Sequence, residues 1–170
     1  TTIARAMTIA EKHIEESDKK DLKGLLKDVG WGVMGVDGGA TGPLLGSFLM
    51  GLSNGIGEEN EIDSTSMAAM FEAGLAGVRR QSKAQVGDKT MMDALLPAID
   101  AIRQSIDAGK SIKQALQNAA EAAEKGAVST KEFKARFGRA KNLGDRTIGF
   151  QDPGATSIAL IFDGFYEGVQ

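Results

Sequence analysis

The sequence predicts an all-α protein, an antiparallel bundle of about eight helices. Three observations carry that expectation. Apolar residues recur at helical spacing along nearly the whole chain. Alternating, β-branched segments of the kind that form strands are almost missing. Most connections between the apolar stripes are short, as in up-and-down helical bundles. The length of 170 residues suits a single domain over 1–170 with a substantial core.

Each element has its own signal. "IARAMTIAEKHI" places Ile3, Met7, Ala10 and Ile14 on one face, and "DLKGLLKDVGWGVMGV" aligns Leu22, Leu25, Leu26, Val29 and Val33. After Pro43, Leu44, Leu45, Phe48, Leu49, Leu52 and Ile56 form a stripe. Gly42 with Gly46, and Gly51 with Gly55, are spaced one turn apart and let neighbouring helices approach closely. "STSMAAMFEAGLAGVRRQ" follows a Ser/Thr cluster suited to capping. "TMMDALLPAIDAIRQSIDAG" carries Met91, Ala94, Leu95, Ala98, Ile99, Ile102 and Ile106, with Pro97 expected to kink the helix or mark a first-turn restart. "SIKQALQNAAEAAEKG" runs from a Ser to Gly126, and Ser129 with Glu132 has capping-box spacing ahead of a short helix. "TSIALIFDGFYEGV" supplies the final helix.

Composition narrows the function classes. A net charge of -3 argues against a nucleic-acid binder held by a large basic field. The chain has no cysteine, so no disulfide or thiolate metal site forms, which fits a cytoplasmic location. His13 is the one histidine, which argues against a Ser-His-Asp triad or a His-rich zinc site; its neighbours Glu11, Lys12 and Glu15 suggest a solvated face. No apolar stretch reaches the roughly 20 residues needed to span a bilayer, and no signal peptide is visible. "EENEID" lacks the spacing and glycine turn of an EF-hand and reads as a solvated connection. Trp31 and the methionines read as core filler. Thr1 raises an N-terminal-nucleophile hydrolase, but the sheet-rich scaffold of such enzymes has no counterpart in this pattern.

Three connections do not look like plain turns. They are "GVDGGATGP", "QVGDKTMMD" and "FGRAKNLGDRTIGFQDPGATS". Each joins glycine with Thr, Ser, Asp or basic residues and leads to a helix. Glycine lets backbone N–H groups turn toward a ligand, and a helix N-terminus adds unpaired donors and a field that favours an anion. Pro43 suits a first helical turn. Thr41, Thr90, Thr156 and Ser157 offer hydroxyls, and Lys89, Arg139 and Arg146 offer positive charge. A Gly/Thr loop before a helix is also what an ordinary turn and cap look like. None of the three matches GxxxxGK(S/T) or GxGxxG. The residues alone therefore leave both an anion or nucleotide site and a set of caps open.

The stretches "GGATGPL" at 38–44, "GDKTMMDALLP" at 87–97, "GRAKNLGDRTIG" at 138–149 and "QDPGATS" at 151–157 resemble the nucleotide-binding (L) subunit of the dihydroxyacetone kinases, in that family's order and spacing. The resemblance covers essentially the whole chain. It implies a barrel of eight antiparallel helices and a kinase subunit that binds ADP or ATP with Mg²⁺. The stand-alone type, rephosphorylated by a phosphotransferase-system donor protein, is closer than the ATP-dependent fusion. It further implies a partner subunit that holds dihydroxyacetone or a similar short ketose covalently. The nucleotide-contacting positions it implies are Ala40 and Thr41 in the glycine turn, Thr90 and Met91 in "GDKTM", and Asp152, Pro153 and Gly154 in "DPG". Ser82 stands where the family usually has glycine. Arg139 of "GRA" is implied close to the phosphates and is the candidate catalytic residue.

The resemblance also implies departures. In the family a GDxD-type acidic loop precedes "NMxRG" and holds magnesium through aspartates. "TTIARAM" aligns just after that loop, with Arg5 on the family arginine and with Thr1 and Thr2 among the implied nucleotide-binding positions. Thr2 falls where a phosphate-contacting Asn is usual. The first helix and the metal aspartates are thus expected to be absent from this chain, and neither Asp37 nor Asp88 is promoted to replace them. Phe150 replaces a histidine in "GHQDPG". These changes motivate a second reading, a catalytically inactive nucleotide-sensing or protein-interaction module of the same fold. Phosphoryl transfer needs alignment and charge neutralisation more than a protein nucleophile, so a single histidine does not exclude a kinase.

Overall fold

Helical periodicity becomes helix throughout. A computed structural model describes residues 1–18, 21–58 and 60–170, and among them it contains seven α-helices and no strand. Two compact units divide the chain, Thr1–Lys83 and Ala84–Gln170. The first holds α1 (Thr2–Glu15), α2 (Leu22–Met34), α3 (Thr41–Asn54) and α4 (Ser64–Arg79). The second holds α5 (Met92–Asp107), α6 (Ile112–Ser129) and α7 (Pro153–Glu167), with 3₁₀ turns at Thr130–Glu132 and Arg139–Thr147.

In the first unit, missing side chains set how closely the helices pack. A Cβ on Gly46 would sit 2.6 Å from the Cβ of Met34, and one on Gly30 would sit 2.9 Å from the Met50 nitrogen. The α2–α3 contacts therefore descend one helix as they climb the other, which makes the pair antiparallel. Gly51 and Gly55 do the same for α3 and α4, with hypothetical Cβ atoms 2.5 Å from the Ala73 carbonyl oxygen and 2.6 Å from the Met70 Cα. The expected small-residue stripes are thus the two contact lines of α3. Phe48, Leu52, Phe71, Val33 and Val78 fill the space between them, and the Phe48 and Phe71 rings lie 6.3 Å apart in a tilted arrangement.

In the second unit α5 and α6 form an antiparallel pair, fixed at one end by Gly126 against Asp93 and at the other by Asn118, whose amide donates to Ser105 Oγ at 2.9 Å. Pro97 lies inside α5. Having no N–H, it cannot donate to the carbonyl of Asp93 one turn earlier. α6 approaches that same carbonyl closely, since a Cβ on Gly126 would be 2.0 Å from it. Gly126 therefore belongs to the interior of α6 and does not end it. Met92, Leu95, Ile102, Ile158 and Phe162 are the large buried side chains of this unit.

Several local expectations change. On α1 the inward residue is Ala6, while Met7 and Ile14 are 38% and 55% exposed. His13 is half-buried and packs on Gly32 of α2, so it does not sit on a solvated face. Trp31 is 69% exposed and fills no core, whereas Met67, Met70, Met91 and Met92 do. The α4 cap is Asp63, whose Oδ1 accepts from the Ser66 N–H at 2.7 Å, so the Ser/Thr cluster lies inside the helix. Those backbone bonds hold the exposed Asp63 carboxyl below its usual range. Ser129 ends α6 and caps no new helix; Thr130–Glu132 is a single 3₁₀ turn. Ser111 does form a capping box with Gln114. Of "EENEID", Glu59 lies outside the described residues.

Candidate functional site

The glycine turn of the first unit is an uncapped helix start. Gly38 and Gly39 adopt φ of 139° and 95°, values that favour glycine. Ala40 occupies the N-cap of α3 and has no side-chain acceptor for the first-turn N–H groups. Pro43, in the first turn, lacks a donor at no cost. The start of α1 meets this turn. Thr2 Oγ1 donates to the Gly38 carbonyl at 3.4 Å, and the Arg5 guanidinium donates to the Asp37 carbonyl at 2.5 Å. Thr1 caps α1 by accepting from the Ala4 N–H at 3.2 Å. Thr1, Thr2, Ala40 and Thr41 thus gather at one end of this unit. Ser82 follows α4, with its N–H bonded to the Val78 carbonyl at 2.9 Å.

In the second unit the "GDKTM" loop and the "DPG" turn come together, though far apart in sequence. A Cβ on Gly154 would lie 3.4 Å from the nitrogen and Cβ of Met91. The loop is built around Asp93, which is 0% exposed. Its two carboxylate oxygens accept from the Gly87 N–H at 2.6 Å and the Thr90 N–H at 2.7 Å. Asp88 accepts from the Gln85 N–H at 2.8 Å and pairs with Arg136 at 3.5 Å. Lys89 carries the one positive φ (60°) among described non-glycine residues. It is 5% exposed, and its ammonium donates to the carbonyls of Thr130 and Phe150. Asp152 caps α7, accepting from the Ala155 N–H at 2.8 Å, and its own N–H donates to Thr130 Oγ1 at 2.8 Å.

Burial opposes both charges here. It pushes the Asp152 carboxyl above the usual carboxylate range, against the backbone N–H groups of Ala155 and Gly154 and the attraction of Lys89. It pulls the Lys89 ammonium below the usual lysine range, against the attraction of Asp152 and Asp93. These groups form a small desolvated network of one cation and two carboxylates.

The DAK2 domain model matches residues 1–167. The chain belongs to the DAK2 domain family. It is 40% identical over 142 residues to the PEP-dependent dihydroxyacetone kinase, ADP-binding subunit DhaL, of Escherichia coli strain K12, covering 84% of this chain and 68% of that protein. It is 35% identical over 160 residues to the PEP-dependent dihydroxyacetone kinase 1, ADP-binding subunit DhaL, of Listeria innocua, covering 94% of this chain and 75% of that one. The solved dihydroxyacetone kinase from C. freundii in complex with AMP-PNP and Mg²⁺ superimposes with a TM-score of 0.58 at 26% identity, covering 87% of this chain. This chain spans 23% of that longer protein.

Against that family background the candidate residues sort by what their atoms do. Thr90, Met91, Asp152, Pro153 and Gly154 are brought together. Arg139 is exposed at the first residue of the 139–147 turn, directly after Gly138 at φ 66°. Thr156 and Ser157 do not offer their hydroxyl protons to a ligand, because they donate to the carbonyls of Asp152 and Pro153, each at 2.8 Å. Lys89 is likewise turned inward and does not supply charge to an open loop. Among the described residues no three His, Cys, Asp or Glu side chains cluster to hold a metal ion. No residue of this chain is assigned to a metal ion. A cavity of about 460 Å³ opens between α5 and α6, lined by Gln104, Ser105, Asn118 and Glu121 among others, and no candidate residue lines it. Sequence reading missed Asp93 and Thr130. The Thr90–Asp93 spacing is that of a first-turn acid three residues after a cap, and it was the available signal for Asp93.

Proposed function

We propose that residues 1–170 form the nucleotide-binding part of a dihydroxyacetone-type kinase, a subunit that binds ADP or ATP. It passes a phosphoryl group to dihydroxyacetone or a similar short ketose held covalently on a partner subunit. The observation that carries the reading is the meeting of Met91 with Gly154, which joins two of the family's motif stretches into one surface. Ala40 and Thr41 are the positions for phosphate, at a helix start whose N–H groups are not taken by a side-chain cap. Thr1 and Thr2 adjoin them on the phosphate side, and Ser82 is the further contact position the family pattern suggests. Thr90, Met91, Asp152, Pro153 and Gly154 are the nucleotide positions the same reading assigns within the second unit. Arg139, an exposed cation, is the residue this reading assigns to stabilising charge that develops during transfer.

The stand-alone relatives named PEP-dependent favour ADP as a resident cofactor, recharged by a phosphotransferase-system protein. Mg²⁺ would accompany the nucleotide and neutralise its phosphates. The same reading places the subunit in the cytoplasm, and among the described residues no helix is long and apolar enough to cross a membrane.

Thermal denaturation with and without Mg-ADP tests this proposal. A ligand at a hundred times its Kd stabilises the folded state by about 2.7 kcal/mol, enough to see as a shift in melting temperature. No shift, together with no heat of binding at millimolar ADP, would exclude it. With the partner subunits added, Arg139→Ala is expected to slow phosphoryl transfer by about a hundredfold, in the range for loss of one group that stabilises developing charge. Its stability should stay within about 0.5 kcal/mol, as for an exposed side chain. Loss of fold in that variant would instead make Arg139 structural.

A further inference from the structure

The Lys89 ammonium is almost completely buried, yet among the described residues it forms no ion pair with a carboxylate. Its bonds go to two backbone carbonyls, Thr130 at the end of α6 and Phe150 just ahead of the Asp152–Gly154 turn. An ammonium has three donors and no acceptor, so it suits a point where several carbonyls converge. Its backbone sits at φ 60°, a conformation that a long side chain adopts only when the surroundings hold it there. Thr130 is also the residue whose hydroxyl accepts from the Asp152 N–H. One side chain therefore ties the loop carrying Thr90 and Met91 to both supports of the turn carrying Asp152, Pro153 and Gly154. The Gly149 N–H adds a bond to the Lys131 carbonyl at 2.7 Å in the same place.

We propose that Lys89 is a positioning residue of the nucleotide site, its buried ammonium clamping the 149–154 segment onto the 87–91 loop so that the Asp152–Gly154 turn is preset for the nucleotide. The assignment rests on the nucleotide-binding reading given above. It gives a cation in the "GDKTM" stretch a role that involves no contact with phosphate.

The chain has no cysteine, which permits a clean test. Lys89→Cys, alkylated while unfolded with a bromoethylamine and then refolded, regains an ammonium at nearly the length of lysine. Three forms are compared: native chain, Lys89→Cys, and the aminoethylated Lys89→Cys. ADP affinity is read by calorimetry and amide hydrogen exchange by mass spectrometry. The expected result is a tenfold or greater loss of ADP affinity in Lys89→Cys with the fold retained, and recovery to within about threefold on aminoethylation. Exchange at 149–154 should quicken in Lys89→Cys and slow again once the ammonium is restored.

Equal ADP affinity in all three forms would overturn the clamp while leaving nucleotide binding intact. If Lys89→Cys does not fold and the aminoethylated form does, the ammonium is a general structural ion and the positioning role is likewise overturned. If the native chain binds no ADP, the nucleotide reading fails, and exchange at 149–154 still judges the clamp. A local, reversible quickening there supports it, and unchanged exchange overturns it.

Discussion

The turn before α3 and the loop before α5 look alike in sequence, since each sets glycine, aspartate and threonine ahead of an apolar helix. In the folded chain they solve the helix-start problem in opposite ways. Before α5, the helix's own Asp93 reaches back and occupies the Gly87 and Thr90 N–H groups. Before α3, Ala40 offers nothing, and the turn is held from outside by Thr2 and Arg5 through the carbonyls of Gly38 and Asp37. A carboxylate at a helix start is the anion such donors attract. One loop thus carries its anion internally. On the reading proposed above, the other takes its anion from solution. A glycine-rich loop before a helix is therefore no evidence for a phosphate site until the capping atom is known.

Three substitutions test this contrast. Asp93→Ala removes the acceptor of two part-buried N–H groups and should cost about 2–6 kcal/mol, at about 1–3 kcal/mol for each donor left unsatisfied. Urea denaturation measures it, and a cost under about 0.5 kcal/mol, the level of an ordinary surface change, would show that the loop does not depend on its carboxylate. Ala40→Asp places an internal anion where α3 lacks one. ADP affinity should fall by roughly tenfold, or about 1.4 kcal/mol, with stability unchanged or higher. Unchanged affinity in calorimetry would move the phosphate away from this turn.

Asp152→Asn has the smallest expected effect and a defined sign. Burial raises the Asp152 pKa in the folded state, so the native chain holds this proton more tightly than the unfolded chain does. The resulting stabilisation is complete below the unfolded carboxyl range and is lost as pH rises through the raised native value. Asparagine still caps α7 and carries no charge to desolvate. The variant should match the native chain near pH 4 and exceed its melting temperature at pH 7, while binding ADP more weakly. A variant less stable at pH 7 would mean that attraction to Lys89 outweighs the cost of burial.

Much of the fold was legible because apolar spacing is a direct record of which side faces inward. The stripes of α3 and α5 came through with little change, since Leu, Ile and Phe mark them clearly. On α1 the inward residue is an alanine, and small residues on several sides let the larger Met7 and Ile14 suggest the wrong face. Gly126 read as a helix stop because glycine often ends helices, but here its missing side chain admits the Asp93 carbonyl, a tertiary cause invisible to local pattern. The site loops were legible as loops of interest. Which of their polar groups face inward was not, because hydroxyls and ammonium groups bond equally well to a ligand or to a neighbouring carbonyl. Thr156, Ser157 and Lys89 all took the second course.

The most direct measurement is a backbone amide NMR titration of the chain with Mg-ADP and, in parallel, with adenosine. Mg-ADP should shift the amides of residues 39–42 together with those of Met91 and Gly154, while adenosine should leave 39–42 in place. The amide of Gly87, already bonded to Asp93, should move least among the loop residues. A large shift at Gly87 with none at 39–42, or no shifts at millimolar ligand, would contradict the account.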